Sequence, residues 1–132
     1  MHQTNTKGST VIKKWFHEKK RKSFLFQQQA WEKIGKGESG IVNAPTGYGK
    51  TYAVFLGAVI QFINHNPDNY RSLKNSGLQL LWISPLRALA KDIGRAMEEV
   101  ITELGMQWQV AIRNGDTPIS ERQRQKRKMP EV

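Results

Sequence analysis

The chain has 132 residues, enough for one compact domain and too few for two. Its 38% hydrophobic and 24% charged residues are ordinary for a globular protein and argue against intrinsic disorder. The sequence has no cysteine, which excludes disulfides and thiolate metal sites, and no apolar run reaches the roughly 18 residues of a membrane span. Because no signal-peptide core is present either, we expect a cytoplasmic protein without a membrane partner.

The balance of charge is strongly basic. Lysine and arginine total 21 against 11 aspartates and glutamates, which gives a formal net charge of +10. Such an excess favours a polyanionic partner, either nucleic acid or an acidic membrane surface. The alternative is a soluble protein whose basic face has no specific partner, because charge bears on association and not on fold.

The first predicted elements are a polar N-terminus and a short helix. Residues 1–12 are polar, and we expect them to be disordered. In the segment that follows residue 23, Phe26, Ala30 and Ile34 share one helical face at i, i+4 and i+8. Gly35 then marks the end of this helix.

Three short apolar runs follow, each with the length and composition of a buried strand. They cover residues 40–44, 78–84 and 108–112. A helix is predicted after each of the first two runs, from Lys50 and from residue 86. Basic residues near the end of the chain form a further helix or a tail. The first of these helices is predicted from Lys50 to Ile63, and the second over residues 86–104, with Gly105 as its terminating glycine. The basic segment covers residues 118–128.

The alternation of strands with long helices predicts βαβ units. The predicted strands are apolar throughout, as expected for strands that helices cover on both faces. The fold class is therefore predicted to be α/β, with a parallel sheet and flanking helices.

A phosphate-loop (Walker A) pattern lies between the first predicted strand and the next helix. Gly47 and Gly49 allow the backbone to turn its N–H groups inward around an anion, and the following helix adds its N-terminal dipole. Lys50 is predicted to reach the β and γ phosphates of ATP, and the Thr51 hydroxyl to ligate Mg²⁺. The candidate residues are Ala44, Pro45, Thr46, Gly47, Tyr48, Gly49, Lys50 and Thr51.

The segment from Phe24 to Trp31 looks like the Q motif of DEAD/DEAH-box helicases. Gln27 stands 23 residues before Lys50, a spacing typical of that superfamily. The resemblance implies that Gln27 reads the adenine edge while a nearby aromatic ring stacks on the base. Members commonly carry Trp and Pro residues here that this chain lacks. The stacking ring is therefore left open, with the candidates Phe24, Phe26 and Trp15.

Two further phrases resemble elements with which the same superfamily holds the nucleic-acid backbone. Ser84 to Ala90 is similar to motif Ia, where Pro85 and Arg87 begin a helix that follows a strand. Backbone N–H groups and a bidentate guanidinium at such a junction suit a phosphate group. The phrase that begins at Arg113 resembles the superfamily's Gly-Asp turn. Its candidate contacts are Arg113, Gly115 and Asp116.

Together these phrases look like the Lhr-type branch, and more closely like the ligase-associated DEXH-box DNA helicases of bacterial DNA repair. The resemblance implies that residues 13–132 are the N-terminal part of a RecA-like ATP-binding domain. It also implies an ATP-dependent helicase or translocase acting in DNA repair, with DNA favoured over RNA as partner. The remainder of the helicase chain would be a further partner.

The 132 residues contain no Asp-Glu-x-His or Asp-Glu-Ala-Asp phrase. The resemblance assigns to that phrase the Mg²⁺-bridging carboxylate and the glutamate that positions the attacking water. We therefore expect a domain truncated before the DEXH motif and inactive as an ATP hydrolase by itself. Two alternatives stay open. One is a non-catalytic basic nucleic-acid-binding remnant with a vestigial phosphate loop, and the other is a different P-loop enzyme such as a small-molecule kinase.

Overall fold

The computed structural model describes residues 5–47 and 49–132, and it divides into two compact units at Tyr70 and Arg71. The first unit contains α1, α2 and α3, and the second contains α4 and α5. Their bounds are Lys7–Glu18 for α1, Leu25–Gly35 for α2, Lys50–His65 for α3, Arg87–Glu103 for α4 and Ile119–Arg127 for α5. Among the described residues, no helix is long and apolar enough to cross a membrane.

Helix α1 begins at Lys7, inside the N-terminal stretch for which the sequence predicts disorder. A capping box causes this early start. The Thr6 hydroxyl accepts a hydrogen bond from the Ser9 N–H at 3.1 Å, and the Ser9 hydroxyl accepts one from the Thr6 N–H at 3.0 Å. These two bonds satisfy N–H groups that have no partner within the helix.

Helix α3 forms the centre of the first unit, with α1 and α2 packed against it. Gly8 allows α1 to approach closely, because a Cβ there would lie 2.4 Å from the carbonyl oxygen of Ile60. The Gly8 N–H also donates to Asn64 Oδ1 at 2.7 Å. The core of this unit is apolar and aromatic; its members include Ile12, Trp15, Phe16, Trp31, Ala53, Phe55, Leu56, Val59, Phe62 and Ile63.

Helix α4 supplies the apolar residues around which the second unit packs. Met97, Val100 and Ile101 are buried on one face of α4. Gly105 terminates the helix with a φ of +71°, and the Met106 N–H donates to the Ile101 carbonyl at 3.0 Å. The predicted helix and its terminating glycine are thereby confirmed. The basic segment near the end of the chain is also helical, as α5.

The predicted parallel sheet is wrong: none of the described residues is assigned to a strand. Apolar runs predict burial, but a strand also needs a neighbouring segment that takes up its backbone N–H and C=O groups. The first two runs do not have the buried surroundings that this prediction assumed. Ile41 in the first run is 95% exposed and Ile83 in the second is 84% exposed.

Short backbone pairings at Glu131 and Val132 replace the predicted sheet in the second unit. The Glu131 carbonyl accepts hydrogen bonds from the N–H groups of Gln79 and Leu80 at 2.8 and 2.9 Å. Val132 pairs with the other segment: its N–H donates to the Gln109 carbonyl, and its own carbonyl accepts from the Ala111 N–H. One predicted strand is thus joined through its backbone to Glu131 and the other to Val132, without forming a regular ladder.

The Glu131 side chain strengthens this connection. Its carboxylate is 1% exposed and accepts the Ser76 N–H at 3.0 Å and the Gln109 N–H at 2.8 Å. A buried carboxylate is costly unless its oxygens are hydrogen-bonded, and each oxygen here has a backbone donor. Glu131 therefore fixes the backbone at residues 76 and 109 together.

Replacement of this carboxylate should loosen both segments. In Glu131→Gln, an amide NH₂ would face one of the two backbone N–H groups, so we expect a loss of about 1.5–3 kcal/mol in the free energy of unfolding. Native-state hydrogen exchange should show faster exchange at the Ser76 and Gln109 amides. The exposed Glu98→Gln variant is the charge-matched control and should leave both amides protected. Unchanged protection in Glu131→Gln would contradict the anchoring role.

Candidate functional site

The predicted phosphate loop leads directly into α3. Gly47 and Gly49 both have positive φ values, +87° and +78°, in the left-handed region that glycine adopts without strain. Lys50 is the first residue of α3 and is exposed, and Thr51 is half-buried in the first turn. Of the other predicted loop residues, Pro45 and Thr46 are exposed. Ala44 is half-buried, and Tyr48 lies outside the described residues.

The N-terminus of α3 has the properties of an anion site. Gly49 occupies the capping position, no side chain caps the helix, and its first turn contains no acidic residue. The first N–H groups of a helix lack intrahelical partners, and the helix dipole places partial positive charge beside them. Within the described part of the chain, no carboxylate pairs with Lys50. The positive charges at this end are therefore not neutralised locally.

Gln27 connects the Q-motif-like segment to the phosphate loop. Its side chain is 2% exposed, and its Nε2 donates to the Gly49 carbonyl at 3.0 Å. Its Oε1 accepts the Phe24 N–H at 2.9 Å, which closes the first turn of α2. One buried amide thereby holds the start of α2 and the start of α3 together.

A second connection between α2 and α3 was not predicted from the sequence. The indole N–H of Trp31 donates to the Tyr52 carbonyl at 3.0 Å, one helical turn after the Gln27 contact. The only available signal was the spacing of Gln27 and Trp31 at i and i+4, which places both side chains on one face of α2. Together the two bonds fix α2 along the first turn of α3.

The three candidate aromatic rings differ in how accessible they are. Phe24 is 46% exposed and stacks on Phe26, with ring centroids 5.8 Å apart and planes 18° apart. Phe26, the other ring of this pair, is half-buried. Trp15 is buried in the core, where its ring contacts Phe16 and Tyr52 edge-on. Phe24 is therefore the most exposed of the three candidate rings.

Gly49 should tolerate no side chain. A Cβ at this position would lie 2.6 Å from Gln27 Nε2, in a backbone conformation that other residues adopt only with strain. We expect Gly49→Ala to break the bond between Gln27 and Gly49 and to weaken nucleotide binding by about tenfold or more, from a strain of roughly 1–3 kcal/mol. Isothermal titration with ATP measures this change.

Gly40→Ala is the matched control. Gly40 precedes the same loop, has no positive φ, and a Cβ there would meet no heavy atom within 4 Å. The Gly40→Ala variant should leave the affinity for ATP unchanged. Equal effects of the two substitutions would mean that the conformation of Gly49 is not what shapes the loop.

In the second unit, the structure brings together the two phrases predicted to hold nucleic acid. Arg87 at the start of α4 forms an ion pair with Asp116, with Nη1 and Oδ2 2.5 Å apart. A Cβ on Gly115 would lie 2.9 Å from Arg87 Nη2, so the glycine leaves room for the guanidinium. Both charged side chains are well exposed, at 65% and 75%, and such a pair contributes about 0–1 kcal/mol. Pro85, two residues earlier, is also exposed.

The Gly-Asp turn is stabilised by its own polar groups. Asn114 Oδ1 accepts the Asp116 N–H at 2.9 Å, and the Thr117 hydroxyl accepts the Asn114 N–H at 2.9 Å. Such side-chain bonds to nearby backbone define the conformation of a turn. Just before the turn, Arg113 Nη2 donates to the Arg122 carbonyl of α5 at 3.0 Å. The predicted contact residues therefore lie on a turn that is fixed at both ends.

The acidic residue of α5 is paired within the helix. Glu121 accepts hydrogen bonds from Arg124 at 2.9 Å and from Gln125 at 3.3 Å. The hydrogen bond from Arg124 holds the pKa of the exposed Glu121 carboxyl below its usual value. Glu121 is thus ionised at neutral pH and neutralises the positive charge of Arg124.

Comparison with known proteins identifies the family. The DEAD/DEAH box helicase model matches residues 24–132, so the chain belongs to the DEAD/DEAH box helicase family. Among its relatives is an ATP-dependent helicase Lhr-Core from Methanocaldococcus jannaschii, 33% identical over 92% of this chain and 15% of the relative. The Lhr-Core helicase of Sulfolobus acidocaldarius is 34% identical over 92% of this chain and 14% of that protein.

A third relative is the Lhr helicase/uracil glycosylase of Escherichia coli, 30% identical over 94% of this chain and 9% of that protein. The predicted resemblance to Lhr-type helicases is confirmed by these names. The finer assignment to ligase-associated DEXH-box helicases stays a prediction. The chain spans about one seventh or less of the length of these relatives. No solved structure matches the chain.

Proposed function

We propose that this chain is the ATP-phosphate-binding segment of an ATP-dependent DNA helicase or translocase that acts in DNA repair. The observation that carries the proposal is the hydrogen bond between Gln27 and Gly49. It joins the segment that resembles an adenine-binding motif to the loop that fits a phosphate-binding motif. The bond supports a shared nucleotide site because it brings these two segments together.

The residues present fit ATP with Mg²⁺. Two glycines with positive φ precede an uncapped helix N-terminus, the backbone arrangement that binds phosphate groups. In this proposal, Lys50 holds the β and γ phosphates by charge, and the Thr51 hydroxyl is the protein ligand for the metal. Bound ATP would supply the free energy of hydrolysis that moves a helicase along its strand, and Mg²⁺ would neutralise charge on its phosphates.

The adenine would lie against Phe24, which at 46% is partly exposed. The amide of Gln27 already uses one hydrogen of Nε2 and one lone pair of Oε1. An amide carries a second hydrogen and a second lone pair, so Gln27 retains one donor and one acceptor for the adenine edge. We propose that the same side chain positions the phosphate loop and reads the base.

Nucleic acid would be held by the second unit, through its sugar-phosphate backbone. The proposed contacts are Pro85, Arg87, Arg113, Gly115 and Asp116, and the net charge of +10 supports a polyanionic partner. DNA is favoured over RNA because of the resemblance to the ligase-associated DNA helicases. The rest of the helicase chain, which would carry the DEXH motif, is the other proposed partner.

The rival proposal is a basic nucleic-acid-binding remnant with a vestigial phosphate loop. The charge of the chain supports this rival as well as it supports the helicase segment. The two proposals differ in whether nucleotide binding occurs and depends on Lys50. A small-molecule kinase is disfavoured, because the chain belongs to a helicase family.

Lys50→Ala tests the phosphate loop. Loss of a charge-assisted hydrogen bond costs about 1.5–3 kcal/mol, so the Kd for ATP should rise by about tenfold or more. Equilibrium binding of a fluorescent ATP analogue to the purified chain measures this. The exposed Lys74→Ala of the second unit is the charge-matched control and should bind like the unsubstituted chain. Equal ATP affinity in all three proteins would support the vestigial-loop proposal.

The 132-residue chain should bind ATP without hydrolysing it. No DEXH phrase occurs in these residues, and the resemblance assigns to that phrase the group that positions water. Release of inorganic phosphate should therefore stay at the background rate with and without single-stranded DNA. Turnover stimulated by DNA and abolished in Lys50→Ala would show that another carboxylate, such as Asp92 or Asp116, serves this purpose.

A further inference from the structure

An open groove of about 470 Å³ lies in the second unit, beside the Gly-Asp turn. One wall is a single face of α5, because its contributing residues are spaced i, i+3, i+4 and i+7 along the helix. The guanidinium of Arg113 forms the other wall. The lining residues are Arg113, Ile119, Arg122, Gln123 and Lys126.

The cations of this groove are not neutralised by acids. Arg113 donates to the Arg122 carbonyl at 3.0 Å, and Arg122 Nη2 donates to the Asn114 carbonyl at 2.8 Å. Both guanidinium groups are thus held in place by neutral acceptors. Among the described residues, no carboxylate forms an ion pair with Arg113, Arg122 or Lys126. Glu121, the nearest acid along α5, is paired with Arg124.

Arg122 also has hydrogen-bonding capacity left over. Its Nε is buried and has no hydrogen-bond partner among the described residues. A buried donor without a partner costs free energy, and this donor, which is closed to solvent, is not itself reached from the groove. A guanidinium that already is fixed in orientation loses little entropy when it binds a planar or tetrahedral oxyanion.

The groove also adjoins the contacts already proposed for nucleic acid. Arg122 Nη2 lies 3.4 Å from the Gly115 carbonyl, and a Cβ on the same glycine would lie 2.9 Å from Arg87 Nη2. Arg87 and Arg122 therefore both lie beside Gly115. Two neighbouring cationic positions suit a strand that carries a phosphate on every nucleotide.

We propose that the groove of Arg113, Arg122 and Lys126 binds a backbone phosphate of single-stranded nucleic acid, next to the phosphate held at Arg87. Ile119 offers an apolar surface for the adjoining sugar, since its side chain is exposed at the same wall. The inference rests on the proposed function, and it extends the nucleic-acid contact from α4 to α5. Contact with phosphate alone carries no sequence preference.

Lys126→Gln tests this assignment without removing a folding contact, because the Lys126 ammonium takes part in no hydrogen bond or ion pair with the described residues. Fluorescence anisotropy with a labelled oligothymidylate should show weaker binding across a salt series. The slope of log K against log salt should shrink by about 0.7, the value for one phosphate contact on a single strand. Arg127→Gln removes the same charge from the neighbouring residue, which does not line the groove, and should change the slope much less.

Arg87→Gln in the same assay separates this inference from the proposed function. If Arg87→Gln weakens binding while Lys126→Gln and Arg127→Gln behave alike, the groove assignment fails and the proposed nucleic-acid contact stands. If the unsubstituted chain does not bind the oligonucleotide, both fail. Competition with inorganic phosphate at constant ionic strength identifies the anion. A Lys126-dependent phosphate effect without a change in oligonucleotide affinity would show a free-anion site and overturn the proposal.

Discussion

The left-handed conformation of Gly49 is the constraint on which the first unit depends. It lets the chain turn from an irregular loop into α3, and the Gly49 carbonyl faces the buried amide of Gln27 at the same point. A Cβ at this position would collide with Gln27 Nε2, so glycine accommodates both the turn and the hydrogen bond. The bond between Gln27 and Gly49 sets the alignment of α2 on α3 at its beginning, and the bond from Trp31 to Tyr52 secures it further.

The second unit depends on backbone groups that find partners outside regular secondary structure. Glu131 accepts backbone N–H groups from two separate segments, through both its carbonyl and its carboxylate. The arginines near the Gly-Asp turn act in a similar way, since Arg113 and Arg122 donate to backbone carbonyls. These two arginines are oriented without being paired to a carboxylate of the described residues, the condition that favours binding of an external polyanion.

Sequence reasoning predicted the helices well and the sheet badly, for one physical reason. Helical hydrogen bonds are local, so the apolar periodicity of residues 50–63 and 86–104 is enough to indicate α3 and α4. A strand depends on partners elsewhere in the chain, and the runs around Ile41 and Ile83 show apolar character without revealing whether such partners exist. The early start of α1 was missed because the capping box at Thr6 was not recognised in a polar stretch.

For the site, the sequence by itself determined the residue types: the glycines and lysine of the phosphate loop, Gln27 before them, and the arginines of the later phrases. Those types are prescribed by the chemistry of phosphate and adenine, so spacing alone can reveal them. Only the tertiary structure decided which of them meet. It placed Gln27 on Gly49, paired Arg87 with Asp116, and left the face of α5 around Arg122 open. The first two contacts join residues that are 20 to 30 positions apart in the chain, and the open face of α5 depends on the direction of its side chains. No local sequence pattern encodes such a long-range contact or such a direction.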